Sequence, residues 1–329
     1  MRILVLGGTG WLGGTIAALA VERGHEVICV SRGTSAPPAG ARGVVADRGQ
    51  PGAYDAVAGE HWDAVVDIAT QPGQVRSAVA ALAGSADGYL FVSTASVYAA
   101  NDVPGADESA ELLAALEADT MASLEEYGNA KVACEEAVTA AFGPERRLVA
   151  RPGLIAGPGD RSGRSGYWPW RFAHPAATDG SVLVPADDEH LAAMIDVRDL
   201  AGWLVRSAEA GTTGVLNAQA NARTLGEHLA TARQVAGHTG PLVAVTDGWL
   251  AERGVKEWMG PRSLPLWIAD PEWRGFGARS TAAAEAAGLT TRPLEATLAD
   301  TLAWEESQEH PHGAGLADDE ERELLAQTG

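Results

Sequence analysis

The sequence predicts an α/β protein: a doubly wound parallel sheet with a smaller, mostly helical C-terminal region beside it. Three observations carry that prediction. Short apolar runs alternate with helix-period segments through the first 150 residues, the pattern of strands buried on both faces. A glycine-rich loop stands between the first apolar run and the first helix. The character then changes, for eight of the ten tryptophans lie beyond Gly157, with several prolines and few clean strands.

Taken in order, residues 1–6 (MRILVL) form the first strand. Residues 7–14 follow as a loop and 15–23 as a helix ended by Gly24. Residues 26–30, 43–46 and 63–68 read as the second to fourth strands, and 73–83 as a helix. Residues 89–92 are the fifth strand, 123–141 a long helix, and 148–150 a sixth strand bounded by Arg151-Pro152-Gly153. Further on, 198–209 has helical spacing and 214–218 is a seventh strand returning to the sheet. Residues 224–235, 282–287 and 294–304 read as helices. Residues 305–329 carry eight acids and one arginine, which predicts a solvated tail with a terminal amphipathic helix over 318–327.

Composition excludes several classes of function. Lysine plus arginine number 24 against 44 acids, a net charge of −20, which disfavours nucleic acid and anionic membranes as partners. Two cysteines, Cys29 and Cys134, make neither a disulfide framework nor a zinc cluster, so no metal is expected. No apolar run approaches the ~20 residues that span a bilayer. The chain opens directly on a strand-like segment, and a cytoplasmic location is the expectation.

Gly7-Gly8-Thr9-Gly10-Trp11-Leu12-Gly13 has the spacing and the strand–loop–helix context of a dinucleotide fingerprint. Gly7 allows the turn, Gly10 lets a pyrophosphate approach the backbone, and Gly13 lets the helix pack on the strand. The helix N-terminus then faces the phosphates. A cofactor site on a Rossmann-type sheet follows, with residues 1–160 as the dinucleotide-binding domain and a returning segment near 195–220. Residues 161–194 and 221–329 are left as the substrate-binding region. The second strand ends in Val30-Ser31-Arg32, without the acid that accepts from a ribose 2′-hydroxyl. Ser31 and Arg32 suit a 2′-phosphate instead, so NADP(H) is expected over NAD(H). Asp47 and Arg48, after the third strand, are placed near the adenine, and Ala69 and Thr70, after the fourth, are further candidate cofactor contacts.

Tyr127 and Lys131 lie four residues apart on a predicted helix and share a face. An ammonium near a phenol lowers its pKa and fits it to exchange a proton at a carbonyl or alcohol. Lysine is rare here, Lys131 and Lys256 being the only two, which sharpens the signal. At the end of the fifth strand, Ser93, Thr94 and Ser96 offer hydroxyls where such sheets bind ligands.

Together, the glycine loop, the STASVY segment, YGNAK, Arg151-Pro152-Gly153 and the IDVRDL segment at 195–200 resemble the extended short-chain dehydrogenase/reductase superfamily, in its NAD(P)-dependent epimerase/dehydratase branch. The resemblance implies Thr94 as the catalytic hydroxyl, Tyr127 as the proton donor or acceptor, and Lys131 as the residue that holds the nicotinamide ribose and tunes Tyr127. It places Pro152 and Gly153 beside the nicotinamide. Thr94 is followed by Ala95 and Ser96, not by the acid pair of the sugar-nucleotide dehydratases, which removes the dehydratase chemistry. The favoured expectation is an NADP(H)-dependent reductase or dehydrogenase acting on a small, apolar or aromatic carbonyl compound, with a homodimer as the family-based assembly. The alternatives are an NAD-dependent nucleotide-sugar epimerase and a non-catalytic nucleotide-sensing or RNA-binding regulator. Ser96, Tyr167, Trp168, Arg171, Trp258, Met259 and Trp267 are the candidate substrate contacts, from two stretches rich in aromatic residues.

Overall fold

The computed structural model describes residues 1–187, 189–309 and 313–328. In chain order it runs β1 (Arg2–Leu6), α1 (Trp11–Glu22), β2 (Glu26–Ser31), β3 (Arg42–Val45), β4 (Trp62–Asp67), α2 (Pro72–Leu82), β5 (Ala86–Val92), α3 (Tyr127–Phe142) and β6 (Arg147–Pro152). Then come β7 (Leu154–Ala156), α4 (Tyr167–Ala173), β8 (Val182–Pro185), β9 (Leu191–Ala192), β10 (Met194–Asp196), α5 (Val197–Ala210) and β11 (Gly214–Ala218). The chain ends with β12 (Arg223–Thr224), α6 (Leu225–Val235), β13 (Leu242–Val245), α7 (Asp247–Glu252), β14 (Lys256–Trp258), β15 (Ser263–Pro265), α8 (Ala282–Ala286), α9 (Leu294–Glu306) and α10 (Asp318–Leu325).

Seven strands form one sheet in the order β11-β6-β5-β4-β1-β2-β3, and every pairing in it is parallel. This is the Rossmann-type, doubly wound architecture. Ile3 to Leu6 are wholly buried, because helices cover both faces of the sheet. α1 and α5 pack on one face, with Ile16, Ala20, Leu200 and Leu204 in the core. α2 and α3 pack on the other, with Val75, Leu82, Cys134 and Val138. A third cluster, around Tyr167, Trp168, Leu225, Leu266 and Trp267, is the core of the C-terminal region.

Several element boundaries shift, and two of the shifts, next to the site, have local reasons. α1 starts at Trp11, not at 15, because extended Gly10 caps it and the second half of the glycine segment is already helical. The long helix of 123–141 begins as a single 3-10 turn, Leu124–Glu126, capped by the Ser123 hydroxyl, and α3 proper opens on Tyr127.

The tail is the larger correction. Residues 305–329 were expected to be solvated, yet Glu305, Leu316, Glu321 and Leu324 are buried. Glu321 accepts from the Leu183 amide at 2.9 Å and pairs with Arg171 at 2.9 Å, and Asp318 pairs with Arg171 at 2.8 Å. A buried cation 150 residues earlier in the chain holds the acidic helix down, and charge counting along the tail could not see it.

Candidate active site

The carboxyl ends of β1, β2, β4, β5 and β6 open onto one side, and the candidate residues stand there. After β1, Gly7 adopts φ +97° and its amide donates to the Val30 carbonyl at 2.8 Å. A Cβ on Gly13 would collide with the Gly7 carbonyl oxygen, so the helix can sit this close to the turn only with glycine there. Gly10 has room around its α-carbon and faces a cleft of about 1150 Å³ with Gly7, Thr9 and Trp11. The Leu12 side chain points into the core, which leaves its backbone amide as the group it can offer a ligand.

Ser31, Arg32, Asp47, Arg48, Ala69 and Thr70 line the same cleft. Arg32 is exposed and has no carboxylate partner among the described residues. Asp47 spends a carboxylate oxygen on the Gly49 amide at 2.9 Å, an Asx turn. Arg48 departs from expectation. Its guanidinium turns inward, bidentate to Asp67 at 2.7 Å on both oxygens, with Nε on the Tyr54 hydroxyl at 2.7 Å. Its charge is committed beneath the cleft and is not free for a phosphate. The same guanidinium holds the buried Asp67 carboxyl below its ordinary range.

The dinucleotide test is one of fit. A glycine turn, a helix N-terminus, a long open cleft and an unpaired Arg32 at its far end all match an elongated polyanion. The residues present fit the group.

Past β5, the Thr94 hydroxyl donates to Ser96 Oγ at 3.2 Å and accepts from the Ser96 amide at 3.2 Å. Gly128 brings α3 against this loop, for a Cβ there would strike the Ser96 carbonyl oxygen. Tyr127, the first residue of α3, is thereby placed near the Thr94 hydroxyl, which acts on its phenol. Lys131 is buried one turn on, its Nζ donating to the carbonyls of Ala69 (2.7 Å) and Val92 (2.5 Å) and lying 4.1 Å from the Phe91 ring centre. It thereby ties the ends of β4 and β5 to α3. Burial lowers its pKa to about 8.

The electrostatics differ from the sequence expectation. Burial raises the Tyr127 pKa above its ordinary value; the nearby Thr94 hydroxyl and the Arg164 charge oppose that rise. The positive charge acting on the phenol is that of Arg164, while Lys131 is turned to backbone carbonyls.

Behind the site, Glu135 of α3 holds Arg151 of β6 through two contacts at 3.0 and 2.6 Å, and Arg151 donates to the Tyr98 hydroxyl at 3.0 Å. The Tyr98 hydroxyl donates to Asn217 of β11 at 2.6 Å. This buried network fixes α3 on the sheet and so fixes Tyr127. Sequence reading missed it because its four members lie on four separate elements.

Several candidate substrate residues are placed elsewhere. Tyr167, Trp168 and Trp267 are 0–1% exposed and belong to the C-terminal core, and the Trp168 indole donates to the Pro265 carbonyl at 2.7 Å. Arg171 is the buried partner of Asp318 and Glu321. Met259 is exposed, outside any described cavity. Trp258 lines a crevice with Gly153, Leu266 and Phe276 that is closed to about 10 Å³, scarcely room for one water. Ser96 stays beside Thr94. Pro152 ends β6, and Gly153 presses against Gln219, whose side-chain oxygen would lie 2.6 Å from an added Cβ. The signal for the core role was present: residues 167, 168, 171 and 172 share one helix face. The expectation of an apolar or aromatic substrate loses the support of the side chains that are packed into this core. In the loop at 158–164 the sequence offered only Arg164 as a possible partner of an anionic substrate or cofactor phosphate, and it gave no cofactor role to the rest of that loop or to Trp304 and Gln308, which complete the cleft.

Comparison with known proteins agrees with this geometry. Residues 3–86 match the model of the NAD dependent epimerase/dehydratase family. A 2′-dehydrokanamycin reductase of Streptomyces kanamyceticus is 36% identical over 198 residues, 57% of this chain and 52% of that protein, so the alignment spans about half the length of the relative. A crystal structure from Burkholderia cenocepacia shares the fold at TM-score 0.67, with 24% identity and coverage of 92% of this chain and 97% of that one. The Bordetella bronchiseptica enzyme WbmH, solved with NAD+, does so at TM-score 0.65, with 16% identity and coverage of 94% and 99%. In both cases the likeness is one of fold.

Proposed function

We propose that this chain, which carries the NAD dependent epimerase/dehydratase signature over residues 3–86 and the fold of the extended short-chain dehydrogenases/reductases, is an NADP(H)-dependent oxidoreductase. It would reduce a carbonyl of a small molecule or oxidise the corresponding alcohol. One observation carries the reading. Tyr127, near the Thr94 hydroxyl, stands one helical turn from a buried lysine that holds the carbonyl of Ala69, a residue lining a dinucleotide-sized cleft. The likeness to a reductase supports the redox assignment. Ser31 and Arg32 at the end of β2, with no acid beside them, support the 2′-phosphorylated cofactor.

In this reading Gly7, Thr9, Gly10 and Trp11 hold the pyrophosphate, Arg32 the 2′-phosphate, and Lys131 the nicotinamide ribose. When bound, the cofactor supplies the hydride that reaches the carbonyl carbon. Tyr127 gives its phenolic proton to the carbonyl oxygen, which leaves an alcohol. Thr94 donates a hydrogen bond to the same oxygen and shares its developing charge. In the reverse direction Tyr127 accepts the proton. The Glu135–Arg151 pair positions α3 throughout and touches no reactant.

The test is Tyr127→Phe. NADPH consumption over a panel of carbonyl compounds that includes keto sugars falls by about 10²–10⁴. The NADPH dissociation constant, read by calorimetry, stays within about twofold. Unchanged turnover would remove the proton-transfer role. Tightly co-purifying NAD with isomerisation and no net cofactor use would replace this reading by the epimerase one.

A further inference from the structure

The loop at 158–164 lines the same cleft as the glycine turn, and three features set it apart. It is pinned to the first residue of α1: the Trp11 indole donates to the Pro158 carbonyl at 2.8 Å, and Gly159 packs so close that a Cβ would meet that indole at 2.6 Å. Its one carboxylate is consumed internally. Asp160 is 3% exposed and accepts from the amides and hydroxyls of Ser162 (2.9 and 2.6 Å) and Ser165 (3.2 and 2.7 Å). Its two arginines, Arg161 and Arg164, line the cleft, and neither has a carboxylate within ion-pair distance among the described residues.

Twelve of the 22 arginines pair with an acid among the described residues, Arg48, Arg151 and Arg171 among them, and what distinguishes Arg161 and Arg164 is that they stand unpaired on the cleft. Arg164 is half-buried, its Nε held by Ser162 Oγ at 3.1 Å and its guanidinium 5.5 Å from the Trp258 ring centre. The Asp160 charge acts on Arg164 only from beyond ion-pair distance, and a partly desolvated cation gains from a ligand that brings a closer counter-charge. The loop is pinned beside the α1 N-terminus, whose amides favour phosphate. Cations that line the cleft with that terminus would grip the same phosphates.

We propose that residues 158–164 form a preorganised cationic strap whose Arg161 and Arg164 clamp the cofactor pyrophosphate against the glycine turn. The proposal rests on the dinucleotide reading above. It divides the work between the arginines of the cleft: Arg32 reads the 2′-phosphate, and the strap reads the diphosphate that NADP and NAD share.

The experiment is calorimetry on the full chain with three probes: NADPH, ADP-ribose, and adenosine 2′-phosphate. Arg161→Gln and Arg164→Gln each weaken NADPH and ADP-ribose by about tenfold, the usual worth of a charge-assisted hydrogen bond. The double variant loses about a hundredfold, and Arg164→Lys recovers part of it. Adenosine 2′-phosphate, which lacks the diphosphate, binds all of these variants unchanged but is weakened by Arg32→Ala. ADP-ribose affinity within twofold of wild type in the double variant would overturn the strap. So would equal loss of adenosine 2′-phosphate, since the damage would then lie away from the diphosphate. A wild-type chain that binds neither NADPH nor ADP-ribose sinks the dinucleotide reading itself, a result distinct from either.

Discussion

The carboxyl edge of the sheet and the aromatic C-terminal region use similar residue types to opposite ends. At the sheet edge, Gly10, Arg32, Arg161 and Arg164 surround an open cleft of about 1150 Å³. In the C-terminal region, Trp168, Tyr167, Trp267 and Arg171 are packed away, and the crevice beside Trp258 is closed to about 10 Å³. Arginine shows the contrast most clearly. Arg171 is buried and doubly paired with acids, whereas Arg164 is half-buried and makes no ion pair among the described residues. The lesson is that a side chain's chemistry does not identify a site; what its neighbours leave unsatisfied does.

The strongest way to break this comparison is Trp168→Ala. If Trp168 is core, the substitution removes a buried indole and its hydrogen bond to Pro265, which costs about 4 kcal/mol of stability in denaturant unfolding. NADPH affinity of the folded fraction stays unchanged. A stable variant with altered substrate preference would return Trp168 to the pocket. Glu321→Ala comes next. It leaves the buried Arg171 guanidinium with only the exposed Asp318 as a carboxylate partner and the Leu183 amide without its acceptor, with an expected loss of about 3 kcal/mol. A tail that is only solvated would show no loss.

The strands, the parallel sheet and the glycine turn were legible because their signals are local. MRILVL followed at once by GGTGWLG needs no distant information, and neither do Tyr127 and Lys131 at one helical turn. Elements such as α5 and β11 were found for the same reason. What was not legible depends on contacts across the chain. Arg48 lines the cleft as expected but spends its charge on Asp67 beneath it, and Arg171, expected as a substrate residue, is covered by α10. Tyr127 was expected to answer to Lys131, its neighbour in sequence, and answers to Arg164, its neighbour in space.

The pH dependence of stability sharpens the comparison from the C-terminal side. His228 of α6 is 3% exposed, and burial, with Arg223 nearby, lowers its pKa to about 4. It is neutral in the fold. Below its ordinary value of about 6.5 the unfolded chain takes up a proton that the folded chain refuses, so stability is full above that pH and declines as pH falls towards 4. The contribution lost by pH 4.5 is about 2–3 kcal/mol. His228→Gln removes this part of the decline in urea unfolding between pH 7 and 4.5, and an unchanged slope would show that the ring is reached by solvent.

Met259 gives the smallest effect and the cleanest control. It was grouped with the substrate contacts because it stands in the Trp258-Met259-Gly260 stretch, yet it is 45% exposed and touches neither the cleft nor the crevice. Met259→Ala deletes a side chain that is already largely in water, so unfolding free energy should move by no more than ~0.5 kcal/mol. Turnover of any carbonyl found in the panel should be equally indifferent. A change in Michaelis constant without a change in stability would mean that the surface around Met259 meets the substrate, and the C-terminal region would then hold a site as well as a core.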